Sequence, residues 1–450
     1  MKKLEINWRE NWKEWSFVLA MLAIFLIWAA VIPFDSAPDE AMRFQIPAYI
    51  LNYGKLPNGA DPLIRDGQWG ISYGFGPPLA AMVGALFMKV IGIFSKSDEA
   101  FRYACRMVSV ICGAGVVGMT VLIGKKRFQK KEERCLFAAL VAFLPQFVFL
   151  CSYINNDAMA LFGTAVIVYG WILGLETKWN LKSCIILALG ISVCTLTYYN
   201  SYGFILCSIF LFGISVLYQK QGIKGLLKKG LLISAIVLTL TGWYFVRNYI
   251  LYDGDFLGMA TSTKYAELYA VPSLKPSLRH TPMNDGLSLF EMFEDGQWFY
   301  SFYNSFIGIF GYMELMLPGW VYTIYTVLFW LASIGGIWNL IDWIKGRKQG
   351  KKEKKAWEWK LFDWMMVISA IIPNMLNVWY SYSSDYQPQG RYSMPMLIPL
   401  MYFVAKGLII LKDKLIKEQM QRKTLIFISS LLGIIVIWSL VGTIIPYYYM

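Results

Sequence analysis

Uncharged apolar stretches long enough to cross a bilayer recur along this sequence, separated by short polar or strongly basic breaks. About 20 predominantly apolar residues make one crossing. On that measure the pattern predicts spans at roughly 15–34, 103–124, 135–154, 158–176, 183–199, 202–218, 230–247, 316–341, 362–381, 392–411 and 424–446, about eleven transmembrane helices in all. Pro77–Ser95 is different. Its uncharged heart, Leu79–Met88, is short and Lys89 follows, so it reads as a juxtamembrane helix lying on the outer surface. A second surface helix is expected over 39–53, with Ala41, Phe44, Ala48 and Leu51 on its apolar face. Trp15–Phe34 is too long for a signal-peptide core and no small-residue cleavage site follows it, so it reads as a retained first span. The expected fold class is all-α integral membrane, with 1–450 forming one polytopic domain.

Composition agrees with the pattern. The 450 residues are 57% hydrophobic, 17% aromatic and 16% charged, more apolar surface than a soluble chain of this length can hide. The net charge of +13 could point to nucleic acid, but its distribution points elsewhere. With the N-terminus inside, the inner segments hold 30 of the 42 Lys and Arg and 12 of the 29 Asp and Glu, net +18, which leaves the outer segments at −5. This is a positive-inside pattern. Making Pro77–Ser95 a span would put KKRFQKKEER outside and invert every later connection. The basic runs, 125–134 and 345–360 among them, are therefore membrane anchors beside anionic lipid. Nucleic acid is not an expected partner. The C-terminus is expected outside, and so are two long connections, 35–102 and 248–315.

Seven cysteines lie in or beside apolar segments without a CxxC pair, and read as small core residues. The single histidine, His280, nearly excludes His-rich metal sites and His-dependent nucleophilic catalysis. No internal repeat or matched pair of broken helices is visible, which weighs against a secondary transporter.

Candidate chemistry gathers on the outer side. PFDSAPDEAMRFQIPAYILNYGKLP follows the first span and carries Asp35, Asp39 and Glu40 at the membrane boundary. Asp39 and Glu40 can be read as N-cap and first-turn residues, favoured there by the helix dipole. They can also be read as reactive carboxylates, with partial desolvation lifting the pKa. Asn155, Asn156 and Asp157 form a polar knot between two spans, either a capped turn or a support for the active-site loop. Asp253 and Asp255 have DxD spacing but read as a turn. In the aromatic stretch 297–322, Trp298 and Tyr300 are candidates for sugar stacking.

The order of motifs resembles the GT-C superfamily, membrane glycosyltransferases that use polyprenyl-phosphate sugars. The Pro-Asp-Glu motif after the first span is followed by YGKLP and by GFGPPL. YINNDAMA, GWYFVRNYILYDGDFLG, SFIGIFGYMELMLPGW and DYQPQGRYSMP then come in turn. Together they look most like a bacterial branch related to the protein mannosyltransferases, and the resemblance covers nearly the whole chain. Where relatives often carry a His after the acidic pair, this chain has Met42 and Arg43.

The resemblance implies a GT-C-like fold and transfer of a sugar from a polyprenyl-phosphate donor to an envelope polysaccharide or lipid-linked acceptor. The transfer would take place on the outer face of a bacterial cytoplasmic membrane, by a single inverting displacement. It implies Asp39 as general base with Glu40 as its partner. Arg247, Arg391 and Arg102 are the candidates for the donor phosphate, since arginine suits bidentate phosphate contacts. Asn155, Asn156 and Asp157 would position the acceptor or the loop. No metal ligands are assigned, and a divalent metal stays open. The competing readings are a transporter or flippase of lipid-linked saccharides, a polymerase or ligase of lipid-linked glycans, and a non-catalytic assembly factor.

Overall fold

The computed structural model describes residues 8–348 and 357–450. Helices follow one another along the chain: α1 (Trp8–Val31), α2 (Glu40–Tyr53), α3 (Leu79–Ile91), α4 (Asp98–Arg127), α5 (Lys131–Ala142), α6 (Pro145–Leu150), α7 (Asp157–Thr177), α8 (Leu181–Thr195), α9 (Tyr202–Tyr218), α10 (Gly222–Leu251), α11 (Met259–Tyr269), α12 (Gln297–Gly308), α13 (Gly319–Lys348), α14 (Trp357–Ser383), α15 (Leu397–Leu415), α16 (Glu418–Ser439) and α17 (Ile445–Tyr449). Among the described residues the one sheet is an antiparallel ribbon of β1 (Ile309–Phe310) with β2 (Leu315–Met316).

Among the described residues, eight segments are long and apolar enough to cross a membrane: Trp12–Val31, Asp98–Arg127, Asp157–Thr177, Tyr199–Tyr218, Gly319–Lys345, Trp357–Ser383, Gly390–Leu415 and Glu418–Tyr449. The chain is an all-α, multi-pass membrane protein. Three expected spans do not meet that measure, so the count of eleven is not reached on length and composition. The 135–154 stretch is broken, because Pro145 lacks an N–H and holds Leu144 in extended backbone. Helix α8 has only 15 residues. Helix α10 has 30 residues and is not among the eight. Helix α3 has 13 residues, roughly 20 Å of helix, less than a bilayer core. Of the expected inner basic run 345–360, residues 349–356 lie outside the described residues.

Helix α7 is the most enclosed of the candidate spans, while α1 and α13 leave most of their surface to lipid. Small residues let the backbones approach closely, as membrane packing requires. A Cβ on Gly163 would meet Cys194 of α8, and one on Gly335 of α13 would collide with the Gly407 carbonyl of α15. Six of the cysteines are buried, as core residues should be, but Cys135 is exposed.

The connections 35–102 and 248–315 and the turn before α15 are bonded to one another over one end of the bundle. The Gly59 N–H donates to Tyr252 Oη (3.0 Å), and the Val271 N–H donates to the Gln68 carbonyl (2.9 Å). The Met283 N–H donates to the Tyr382 carbonyl (3.1 Å). The apolar face of α2 does not lie on lipid as expected. Phe44, Ala48 and Leu51 pack against Met88, Ala104, Cys105 and Ile154, so α2 is held on α3 and α4 and its acidic start is fixed against the bundle.

Candidate active site

Glu40 is fully buried and its bonding capacity is used. Its Oε2 accepts from Arg106 Nη2 (2.7 Å) and from the Asp35 N–H (2.9 Å). Its Oε1 accepts from Arg106 Nε (2.8 Å) and from the Ile154 N–H (3.0 Å). Arg106 spends its remaining hydrogens on the Ala29, Ile32 and Pro33 carbonyls at the end of α1. One bidentate pair thus ties α1, α2, α4 and the turn before α7 together.

Asp39, one residue earlier, is held differently. It and Asp35 adopt left-handed backbone, φ 65° and 63°, a costly conformation outside glycine. Asp35 is locked by the Ala41 N–H and by the Tyr312 hydroxyl, both donating to its Oδ1 (3.1 Å). Asp39 occupies the N-cap position of α2 without capping it. Its carboxylate accepts from Arg391 Nη2 (3.2 Å) instead, and from Tyr73. Burial works to raise its pKa, but the charges of Arg391 and Arg43 and the hydrogen bonds from Tyr73 and Arg391 outweigh it and hold the group below its ordinary value. This corrects the expectation that desolvation lifts it. Burial pushes the Tyr73 phenol well up, so it stays a protonated donor.

Arg391 is brought to Asp39 by the turn at 390. The Gly390 N–H donates to Ser305 Oγ (2.8 Å), and a Cβ there would collide with the Phe306 backbone, so only glycine lets the turn seat on α12. The Arg391 side chain is 8% exposed and its Nε finds no partner. Nη2 also donates to the Tyr392 hydroxyl (3.1 Å), which donates to Gln387 (2.6 Å), whose amide donates to Asp385 (2.6 Å).

Arg43 stands one helical turn after Asp39. It is 8% exposed, lies over the Tyr73 ring (4.0 Å), and its Nε is buried without a partner. Burial opposes its charge, but Tyr73, Asp157 and Asp39 outweigh that and keep it protonated. Arg43 lines a narrow pocket together with Tyr73, Asn156, Tyr244 and Arg247, and with apolar walls from Ile46, Leu56, Pro57, Pro78 and Ala81. Arg247 donates to the Pro57 carbonyl and to Asn248 Oδ1. No acid lines the pocket.

The structure therefore brings together Asp39, Arg391, Asn156 and Asp157, with Arg247 across the pocket behind Tyr73. It separates others. Arg391 does not line the Arg247 pocket, contrary to the expected shared cavity. Arg102 lies over Phe34 (4.2 Å) in a different groove, with Glu99 and Tyr103. Asn155 closes the turn before α7, donating to the Leu150 carbonyl (2.7 Å) and accepting from the Ala158 N–H (3.0 Å). Asp157 is buried near Arg43 and Arg391. Asp255 caps α11 through the Gly258 and Thr261 N–H groups, so the DxD pair is a turn. His280 is an exposed connection residue. Trp298 is buried and stacked on Phe302, leaving no free face for a sugar. Among the described residues, no three His, Cys, Asp or Glu side chains gather to hold a metal ion. Arg43, Tyr73 and Asp385 were missed as site residues in the sequence. The i, i+4 spacing of Asp39 and Arg43 on one helix face was the signal available.

The fold is shared with an archaeal membrane oligosaccharyltransferase of known structure. The oligosaccharyltransferase AglB of Archaeoglobus fulgidus, solved with an inhibitory peptide and a dolichol-phosphate, superposes with a TM-score of 0.54 at 12% identity, over 96% of this chain and 55% of its own. The same enzyme with Zn and sulfate gives 0.56 at 14%, over 93% and 52%. This chain thus spans about half the length of that enzyme. ArnT of Cupriavidus metallidurans, bound to undecaprenyl phosphate, gives 0.49 at 12%, over 96% and 73%. By sequence, residues 69–401 match the family described as Predicted membrane protein (DUF2142), and the chain belongs to it. No curated protein matches it in sequence.

Proposed function

We propose that this protein is a glycosyltransferase that takes a sugar from a polyprenyl-phosphate donor on the outer face of a bacterial cytoplasmic membrane. The acceptor is an envelope polysaccharide or a lipid-linked glycan. The observation that carries the reading is the pocket behind Asp39. Two arginines face an apolar-walled space that no acid lines, the surroundings an anionic headgroup on a hydrocarbon tail requires. Arg43 and Arg247 are the phosphate ligands in this reading, and Arg391 and Arg102 are not. Asp39 removes the proton from the acceptor hydroxyl. That oxygen bonds to the anomeric carbon from the side opposite the phosphate, and the carbon–phosphate oxygen bond breaks with its electron pair going to the leaving polyprenyl phosphate. Asp39 then returns its proton to water. Glu40, saturated by Arg106, positions Asp39 and takes no part in the chemistry. Asn156, Asp157 and Asn155 support the floor beneath Arg43.

The test is binding of undecaprenyl phosphate to the purified full chain in nanodiscs, together with glycan mass spectrometry of cells with and without the protein. Saturable binding lost in Arg43→Gln and Arg247→Gln is expected, and wild-type binding by both variants would end the proposal. For the orientation, a cysteine placed at Gln129 should resist impermeant reagents in intact cells. Labelling there from outside would overturn the outer-face assignment.

A further inference from the structure

One side chain serves both halves of the site. Arg43 lines the phosphate pocket and also faces the Asp39 carboxylate from one turn along α2, with Tyr73 sandwiched between the two roles: its hydroxyl bonds Asp39 and its ring lies under the guanidinium. Arg391 could have been the shared cation, but it does not line the pocket. An anion entering the pocket meets a buried arginine whose Nε has no partner and whose field is shared between Asp157 and Asp39.

We propose that Arg43 couples donor binding to the strength of the base, so that a phosphate bound in the pocket and a proton bound on Asp39 favour one another. The inference rests on the donor-site reading above. In the empty site the cations beside Asp39 keep it a weak base, and a phosphodiester charge placed against Arg43 cancels one of them. The carboxylate then holds a proton more readily and accepts one from the acceptor hydroxyl more easily. The donor thereby assembles its own base, and an acceptor arriving first meets a poor one. The order of binding is donor before acceptor.

Other groups around Asp39 set the background. Arg391 and Tyr392 face it from the turn before α15, Tyr73 from the 73–75 turn, and Arg43 and the saturated Glu40 from α2. Asp157 at the start of α7, Asp385 before the turn, and Tyr312 beside Asp35 also lie within reach of its charge. Tyr153 and Tyr198 stand against Asp157 and both arginines. None of these other than Arg43 and Tyr73 touches the pocket.

Because coupling is reciprocal, binding alone can read it. The probe is undecaprenyl methyl phosphate, a phosphodiester whose single negative charge does not change over the range used, titrated into the full-length protein in nanodiscs from pH 7 to pH 4. If occupancy raises the proton affinity of Asp39, the probe binds more tightly as pH falls through the raised value. A rise of one pKa unit gives tenfold tighter binding only below the empty-site value, so at pH 4, just above it, binding about two- to fourfold tighter than at pH 7 is expected. Asp39→Asn should bind with no slope. Arg43→Lys should bind more weakly but keep a slope, because the shared charge remains. A flat profile in the wild type with binding intact overturns the coupling and leaves the donor site standing. The same slope in Asp39→Asn assigns the proton to another group and also overturns it. Absence of saturable binding at every pH removes the donor site and the coupling with it.

Discussion

Two ion pairs stand one residue apart at the start of α2, and they are built to opposite plans. Glu40 and Arg106 meet through two short bonds, and every remaining hydrogen of the guanidinium is spent on backbone carbonyls of α1. Asp39 and Arg391 meet through a single 3.2 Å bond, with Arg391 Nε buried and unpaired. Arg43, beside them, also leaves its Nε unpaired. A buried charge with every partner in place fixes a fold. Buried donors left over cost stability and are kept where a ligand completes them. In the proposed function this contrast supports a structural part for Glu40 and a chemical one for Asp39, although the two are adjacent in sequence and both are carboxylates.

Substitutions sharpen that contrast. The largest effect expected is on transfer. Asp39→Asn keeps the shape and removes the base, so the sugar-transfer rate should drop by about 10²–10⁴ while the melting temperature in detergent falls much less than in the Arg106 variant below. Since Asp39 makes no side-chain cap to α2, an Asn variant that transfers at the wild-type rate would remove the carboxylate from the mechanism. Arg106→Ala should do the reverse. Stripping one partner from a buried pair costs about 3–5 kcal/mol, seen as poor yield and a much lower melting temperature. Normal stability with selective loss of transfer would place Arg106 in the chemistry.

Smaller effects are expected in the pocket. Arg247→Lys keeps the charge but loses the forked geometry, so undecaprenyl phosphate affinity should fall by roughly tenfold, about 1.4 kcal/mol, with stability unchanged. An unchanged affinity would move the phosphate elsewhere. The smallest effect concerns acid. Asp39 has a lowered pKa in the folded chain, so its contribution to stability is present above the unfolded value near 3.9 and is lost as pH falls through the folded one. Asp39→Asn should flatten that part of the acid unfolding curve, and an identical curve would show that Arg391 does not stabilise the carboxylate.

The hydrophobic pattern by itself determined that the chain is a helical membrane protein with its acids and arginines gathered near helix ends, because the bilayer imposes a length on every crossing and a sign on every connection. It also made Asp39 a candidate, since an acid at a membrane boundary is costly unless used. Three things were settled only in three dimensions. Leu144–Pro145 breaks an apolar stretch that composition alone reads as one span. The apolar face of α2 found protein instead of lipid, since hydropathy does not distinguish the two. The pairing of two arginines depended on contacts across 66 residues for Arg106 and 352 for Arg391. Charge and spacing in one dimension show that an arginine stands near an interface. Which acid it meets, and whether its hydrogens are used up, depends on how α2, α4 and the turn before α15 pack, and that is where a structural arginine and a functional one part.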